Sequence, residues 1–269
     1  MIKETTLNNI SIKPLVNANL LEEKLVKGGS MFLDPYNVTF LSARRKSGKT
    51  SVIAEILKKT SDKKTIFWFF VPTSRVDESW KTIIKTLQDR GSTVNVFDSI
   101  MEGKTNLLDE IVTDLSVGEE VVEKSKPETH VVKLLFGIPE SEKKKYEYKP
   151  KKLAPEHIFV FDDISNELNK VTSLLKKSRH LKASVYISSQ YVMDLQPQAL
   201  KQLSYFLCFR SMTRDKLEHI HKMLDLSIDI EKFFDIYDYA TMDNFNFLYV
   251  DMKNQSFRKN FSKELNYEE

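Results

Sequence analysis

Apolar and polar positions along the chain follow two rhythms that alternate from the first third onward. Residues 38–41 (VTFL) form a short β-type run, and residues 51–59 carry apolar side chains at Val52, Ile53, Ile56 and Leu57, the spacing of one helix face. Residues 65–71 (TIFWFFV) are apolar on both faces, as buried parallel strands are. Ser74-x-x-Asp77 fits a capping box. After it, Val76, Trp80, Ile83, Ile84 and Leu87 mark one face of a helix, and residues 93–97 (TVNVF) read as a further strand. Residues 158–161 (IFVF) are an apolar strand that ends in Asp162-Asp163. Leu168, Val171, Leu174, Leu175 and Leu181 then recur at helical spacing. Residues 185–189 form a strand that ends at Gln190, and 205–210 another. Leu217, Ile220 and Leu224 suit a helix after Thr213, and 245–251 make a late strand. No internal repeat is visible.

Strands alternating with helices predict an α/β fold around a mainly parallel sheet. Residues 1–30 read as an N-terminal arm with a hinge at Gly28-Gly29-Ser30. Residues 31–251 form one domain, and 252–269 a polar C-terminal tail expected to fray. Within the domain, residues 118–156 change character: Lys143, Lys144, Lys145, Lys149, Lys151 and Lys152 cluster with Tyr146 and Tyr148. This is a surface insertion whose charges are solvated; the sharper alternative is a basic loop touching a nucleic-acid backbone.

Composition narrows the class. The 269 residues are 41% hydrophobic and 29% charged, which excludes a wholly disordered chain and a collagen-like repeat. The longest strongly apolar run, 66–71, is far short of the ~20 residues a membrane span needs. The first residues lack the apolar core of a signal peptide. The single cysteine, Cys208, excludes a disulfide framework and a cysteine-rich zinc site, so a reducing, intracellular compartment is expected. Basic residues number 41 and acidic 38, for a net charge of +3, too mild to announce nucleic-acid binding. Only 8 of the 41 are arginines, which shortens the list that could act in a site. The five histidines form no evident metal site.

The decisive segment is Ala43-Arg44-Arg45-Lys46-Ser47-Gly48-Lys49-Thr50, with Ser51 following, set between a strand and a helix. In that context the backbone N–H groups of the loop and the helix N-terminus point at phosphate oxygens. Gly48 lets the backbone approach, Lys49 reaches the β- and γ-phosphates, and the Thr50 hydroxyl binds Mg²⁺. The pattern opens on Ala43 where glycine is usual, and alanine keeps the loop shape if its φ is negative. The expected fold is therefore a three-layer P-loop NTPase of the additional-strand (ASCE) type, binding ATP with Mg²⁺.

Asp162 and Asp163 supply the carboxylates that such a site requires: Asp162 for the metal, Asp163 as the base toward the attacking water. Gln190, at another strand end, would orient that water or sense the γ-phosphate. An arginine from a neighbouring subunit would stabilise transition-state charge; Arg179 is the first candidate and Arg210 the second.

At these residues the chain resembles viral DNA-packaging ATPases of the FtsK–HerA superfamily, in the poxvirus, giant-virus and virophage branch. The likeness rests on FLSARRKSGKT, IFVFDDIS and SRHLKASVYISSQ, the last spanning residues 178–190, and matching elements run from about 38 to 210. It implies a homo-oligomeric ring (pentamer or hexamer) that couples ATP hydrolysis to moving double-stranded DNA into a capsid. A capsid vertex protein would be a further partner, with no membrane involved. The host-cell cytoplasm (the viral factory) and the virion would be the places of work. By position, Lys49 and Thr50 would hold nucleotide and metal, Asp162 and Asp163 the acidic pair, Gln190 the sensor and Arg179 a finger acting in trans. The Asp-Asp pair stands where many relatives have Asp-Glu. Rival readings are a helicase or other nucleic-acid-remodelling ATPase, a small-molecule kinase, which the scarcity of arginine disfavours, and a scaffold that binds nucleotide without turnover.

Overall fold

The computed structural model describes residues 25–123 and 152–266. Most of the expected arm and the lysine-rich stretch at 124–151 lie outside the described residues. A nine-stranded sheet forms the middle layer, in the order β11-β10-β9-β8-β1-β7-β6-β2-β3. Its parallel part is β1 (Val38–Ser42), β2 (Ile66–Phe70), β3 (Val94–Phe97), β6 (His157–Asp162), β7 (Ala183–Ser189) and β8 (Tyr205–Phe209). Three antiparallel strands extend one side: β9 (Phe247–Asp251), β10 (Ser256–Lys259) and β11 (Lys263–Leu265). A two-stranded ribbon, β4 (Met101–Glu102) with β5 (Thr105–Asn106), stands apart. The strand β7 lies between β1, which feeds the phosphate loop, and β6, which carries the acidic pair. That inserted strand defines the additional-strand P-loop NTPase fold expected from the sequence.

Period-two alternation explains why these strands are apolar on both faces. Phe67, Phe69, Ile158, Val160, Leu41 and Leu207 face one core, which α1 (Lys49–Thr60) and α2 (Glu78–Asp89) cover with Ile53, Ile56, Leu57, Trp80 and Leu87. Phe40, Phe70, Phe159, Phe161, Ile187 and Phe206 face the other. That side is covered by α3 (Leu107–Glu123), α4 (Thr172–Lys177), α5 (Pro197–Leu200), α6 (Arg214–Met223) and α7 (Ile230–Ala240). Phe70 stacks on Phe97 and on Phe161 with ring centroids 5.0 Å apart in each pair. Truncating one of these buried rings to alanine costs about 3–5 kcal/mol. Cys208 is buried and free. Among the described residues no helix is long and apolar enough to cross a membrane.

Three sequence expectations change in detail. The cap of α2 is Asp77, whose carboxylate accepts from the Ser79 N–H at 2.8 Å, and not Ser74. Val76 therefore precedes the helix and is exposed. The apolar series from Leu168 is not one helix: a 3-10 turn over Ser165–Lys170 precedes α4, because a spacing of three residues suits a threefold helix as well as an α-helix. The late strand β9 runs antiparallel to β8, as a mainly parallel sheet allows. Residues 256–265, expected to fray, add β10 and β11 instead, with Phe257 and Phe261 packed on the sheet.

Candidate phosphate-binding site

Every functional group of interest but one sits at the carboxyl ends of the parallel strands. The loop from Ala43 to Gly48 joins β1 to α1 there. The Ala43 N–H donates to the Ser189 carbonyl of β7 at 3.0 Å, tying the loop's first residue to the inserted strand. Positive φ occurs in the loop at Lys46 (+64°) and Gly48 (+89°) and not at Ala43, so the alanine methyl costs no backbone strain. Arg44, Arg45, Lys46 and Ser51 are exposed, whereas Ser47, Gly48 and Thr50 are half-buried. Gly48 caps α1 with no side-chain acceptor and no acid follows in the first turn. The free N–H groups and positive dipole end of a 12-residue helix are thus left for an anion.

Lys49 reaches across to β6. Its Nζ donates to Asp162 Oδ1 at 2.8 Å and to Asp163 Oδ1 at 3.0 Å. Burial alone would push the ammonium down, but the Asp162 charge and hydrogen bond, followed by those of Asp163, outweigh it and hold Lys49 above its ordinary 10.5. The second Asp162 oxygen accepts from Trp80 Nε1 at 3.0 Å. Asp162 is only 2% exposed, so both oxygens have defined partners inside the protein. Asp163 stands at φ +56°, turning the chain out of β6 so that its carboxylate faces the loop. Gln190, just past β7, is half-buried, and its side chain makes no hydrogen bond among the described residues.

Four hydroxyls around this edge are unsatisfied, while Ser189 Oγ donates to Asp194. Ser42, Ser47, Ser74 and Ser188 all bury a side-chain oxygen that has no partner. Ser42 ends β1, Ser188 pairs in register with Leu41 and Asp162, and Ser47 lies within the loop. Buried polar atoms are nearly always bonded in a finished interior, so a cluster of orphans marks where polar groups from outside belong. Among the described residues no group of three or more His, Cys, Asp or Glu could cage a metal. A hydroxyl in the first turn of α1 and a carboxylate at the end of β6 suit instead a hard cation that brings water and phosphate as its other ligands, as Mg²⁺ does.

No family model matches the chain, and no curated protein does. Among solved structures, the genome packaging NTPase B204 from Sulfolobus turreted icosahedral virus 2, in complex with AMPPCP, is similar over 84% of this chain and 97% of its own. The identity is 19% and the TM-score 0.49. Its complex with ATP-gammaS gives 18% identity over 84% and 96%, with a TM-score of 0.49. The cytoplasmic domain of the type VII secretion ATPase EccC from Thermomonospora curvata is similar over 81% of this chain and 24% of its own, at 13% identity and a TM-score of 0.41. The fold stands on this chain's own strand order.

The two arginine candidates separate sharply. Arg210 directly follows β8 on the same edge as the loop and donates to Asn244 Oδ1 at 2.8 Å. Arg179 lies at the opposite edge, before β7 begins, and donates to Asp34 Oδ2 at 3.3 Å. It does not join the phosphate loop within one subunit. Sequence reasoning placed Trp80 on a buried helix face and missed its bond to Asp162. The available signal was an indole N–H in an otherwise apolar stripe, which needs an acceptor once buried.

Proposed function

We propose that the protein is an ATP-hydrolysing motor that moves double-stranded DNA as a homo-oligomeric ring, in viral genome packaging. The observation that carries the ATPase part is the pair of hydrogen bonds, one buried and one partly buried, by which Lys49, at the start of α1, holds both carboxylates at the end of β6 beside an N–H-lined loop. The DNA, ring, capsid-partner and viral-factory parts rest on the likeness of the three sequence segments to packaging ATPases.

The chain's own groups divide the work. Loop N–H groups from Ser47 to Ser51 would bind phosphate oxygens, and Ser47 Oγ would gain the partner it lacks. Thr50 and Asp162 would hold Mg²⁺, which supplies charge neutralisation at the phosphates. A triphosphate competes for the Lys49 ammonium, and as Lys49 turns to it Asp163 loses a cationic partner. The released carboxylate can then take a proton from water that Gln190 orients. Substrate binding thereby frees the base. Arg179, on the far edge of the sheet, can meet a phosphate only across a subunit boundary.

The test is ATPase rate against added duplex DNA, with particle mass measured in the same buffer. An oligomer whose turnover rises with DNA is expected; DNA-independent turnover by a monomer would reject the motor. Strand separation in a gel assay would instead favour a helicase. Mixing Arg179→Ala with Asp163→Asn protein should restore part of the activity that each lacks alone, and no recovery from assembled mixtures would reject the finger in trans.

A further inference from the structure

Phe245 is an aromatic side chain with no place in either core. It is 68% exposed, stands at φ +66°, and precedes β9 at the same sheet edge as the phosphate loop. A bulky residue in the left-handed region is a backbone outlier that its surroundings must hold in place. The brace is visible. Arg210 donates to Asn244 Oδ1 at 2.8 Å, Asn246 and Lys259 donate to Asp243 Oδ2 at 3.1 and 3.0 Å, and Asn260 donates to Asn246 Oδ1 at 2.8 Å. Hydrogen bonds on both sides of residue 245 thus fix the loop while its ring faces solvent. Other phenylalanines of this edge, Phe209, Phe247 and Phe261, pair with one another, and Phe245 joins no ring pair among the described residues.

The ring leans on the phosphate loop. A Cβ added at Gly48 would come within 3.1 Å of Phe245 Cδ1. Strand order gives the direction of a bound nucleotide. Asp162, Asp163 and Gln190 lie at the carboxyl ends of β6 and β7, on one side of β1, whereas β8 and β9 lie on the other. A triphosphate whose terminal phosphate meets the carboxylates therefore carries its sugar and base toward β8 and β9, where Phe245 waits.

We propose that Phe245 is the stacking platform for the nucleobase of the bound nucleoside triphosphate. The assignment rests on the reading of residues 43–51 as a triphosphate site, and it adds the part of that site that recognises something other than phosphate. Stacking on one exposed ring is tolerant of base identity, so Phe245 contributes affinity and orientation and leaves base selection to other groups.

Calorimetric titrations with ATP and with inorganic tripolyphosphate, both with magnesium, separate the two readings. Phe245→Ala should weaken ATP binding about tenfold and leave tripolyphosphate within about twofold, while Phe245→Tyr keeps ATP within about twofold of the wild type. An exposed ring can be removed with the fold intact, which an unchanged thermal midpoint verifies. Equal weakening of both ligands would mean that the ring only props the loop, and would overturn the proposal, as would no weakening of either. If the wild-type protein bound neither ligand, the triphosphate site itself would fall and this assignment with it.

Discussion

The two ends of the same parallel strands are built to opposite standards. At the amino ends the polar groups are closed off internally: Ser184 Oγ donates to the Pro35 carbonyl at 2.6 Å, Ser204 Oγ accepts from the Val38 N–H at 3.2 Å, and Thr39 Oγ1 donates to Asn37 at 2.8 Å. At the carboxyl ends Ser42 and Ser188 are as buried and have no partner. Ser184 and Ser188 are the same residue type on one strand, four positions apart. The difference teaches that side-chain chemistry alone does not mark a site. What marks it is polar capacity left unspent, next to an ammonium–carboxylate cluster and a helix N-terminus.

The contrast is broken most severely at Lys49. Lys49→Ala removes the loop's only buried cation and should lower turnover by about a thousandfold or more, measured as phosphate release. Next is Asp163→Asn, expected to cut turnover by about 10² to 10⁴ while ATP affinity stays within about threefold; unchanged turnover would reject Asp163 as the base. Trp80→Phe keeps an aromatic ring in the core but gives up part of the indole's volume and strips Asp162 of its 3.0 Å donor. A loss of about 1–2 kcal/mol in urea unfolding with a roughly tenfold slower turnover is expected. Smallest, and sharpest for the two ends, is the serine pair: Ser184→Ala should cost about 1 kcal/mol with turnover intact, whereas Ser188→Ala should cost less than about 0.5 kcal/mol. Acidity adds one further handle. Lys49 is held above 10.5 in the folded protein, so its ion pairs stabilise fully below that pH and are lost as pH rises past the folded value. The alkaline limb of a stability–pH curve should therefore flatten in Lys49→Met.

Most of the fold was legible because it is written in runs and spacings. Six parallel strands follow from apolar runs such as 66–70 and 158–161, and the loop 43–50 announces itself by its residues. Lys49 could be named from the loop motif, and Asp162 and Asp163 from a strand end beside it. The helix α7 carries a legible signal, the apolar spacing Ile230, Phe233, Phe234, Tyr237, Ala240 behind an Asp229 cap. Other parts were hidden for physical reasons. Strands β10 and β11 are short and largely polar, and only pairing reveals them, β10 with β9 and β11 with β10. Phe245 was counted with a strand, yet its positive φ takes it out of the pleat and over Gly48. No periodicity encodes that contact, since it joins residues almost two hundred positions apart. The same holds for Trp80 and Asp162, separated by 82 positions.

The indole hydrogen bond to Asp162 gives the protein its own optical reporter. Trp80 is one of two tryptophans; the other, Trp68, sits in the middle of β2, with Nε1 donating to His157 at 3.4 Å. Emission from Trp80 senses the charge and position of the carboxylate meant for the metal. Rapid mixing of unlabelled protein with nucleotide should therefore time the filling of the site directly, and Trp80→Phe should silence the trace while the Trp68 background remains.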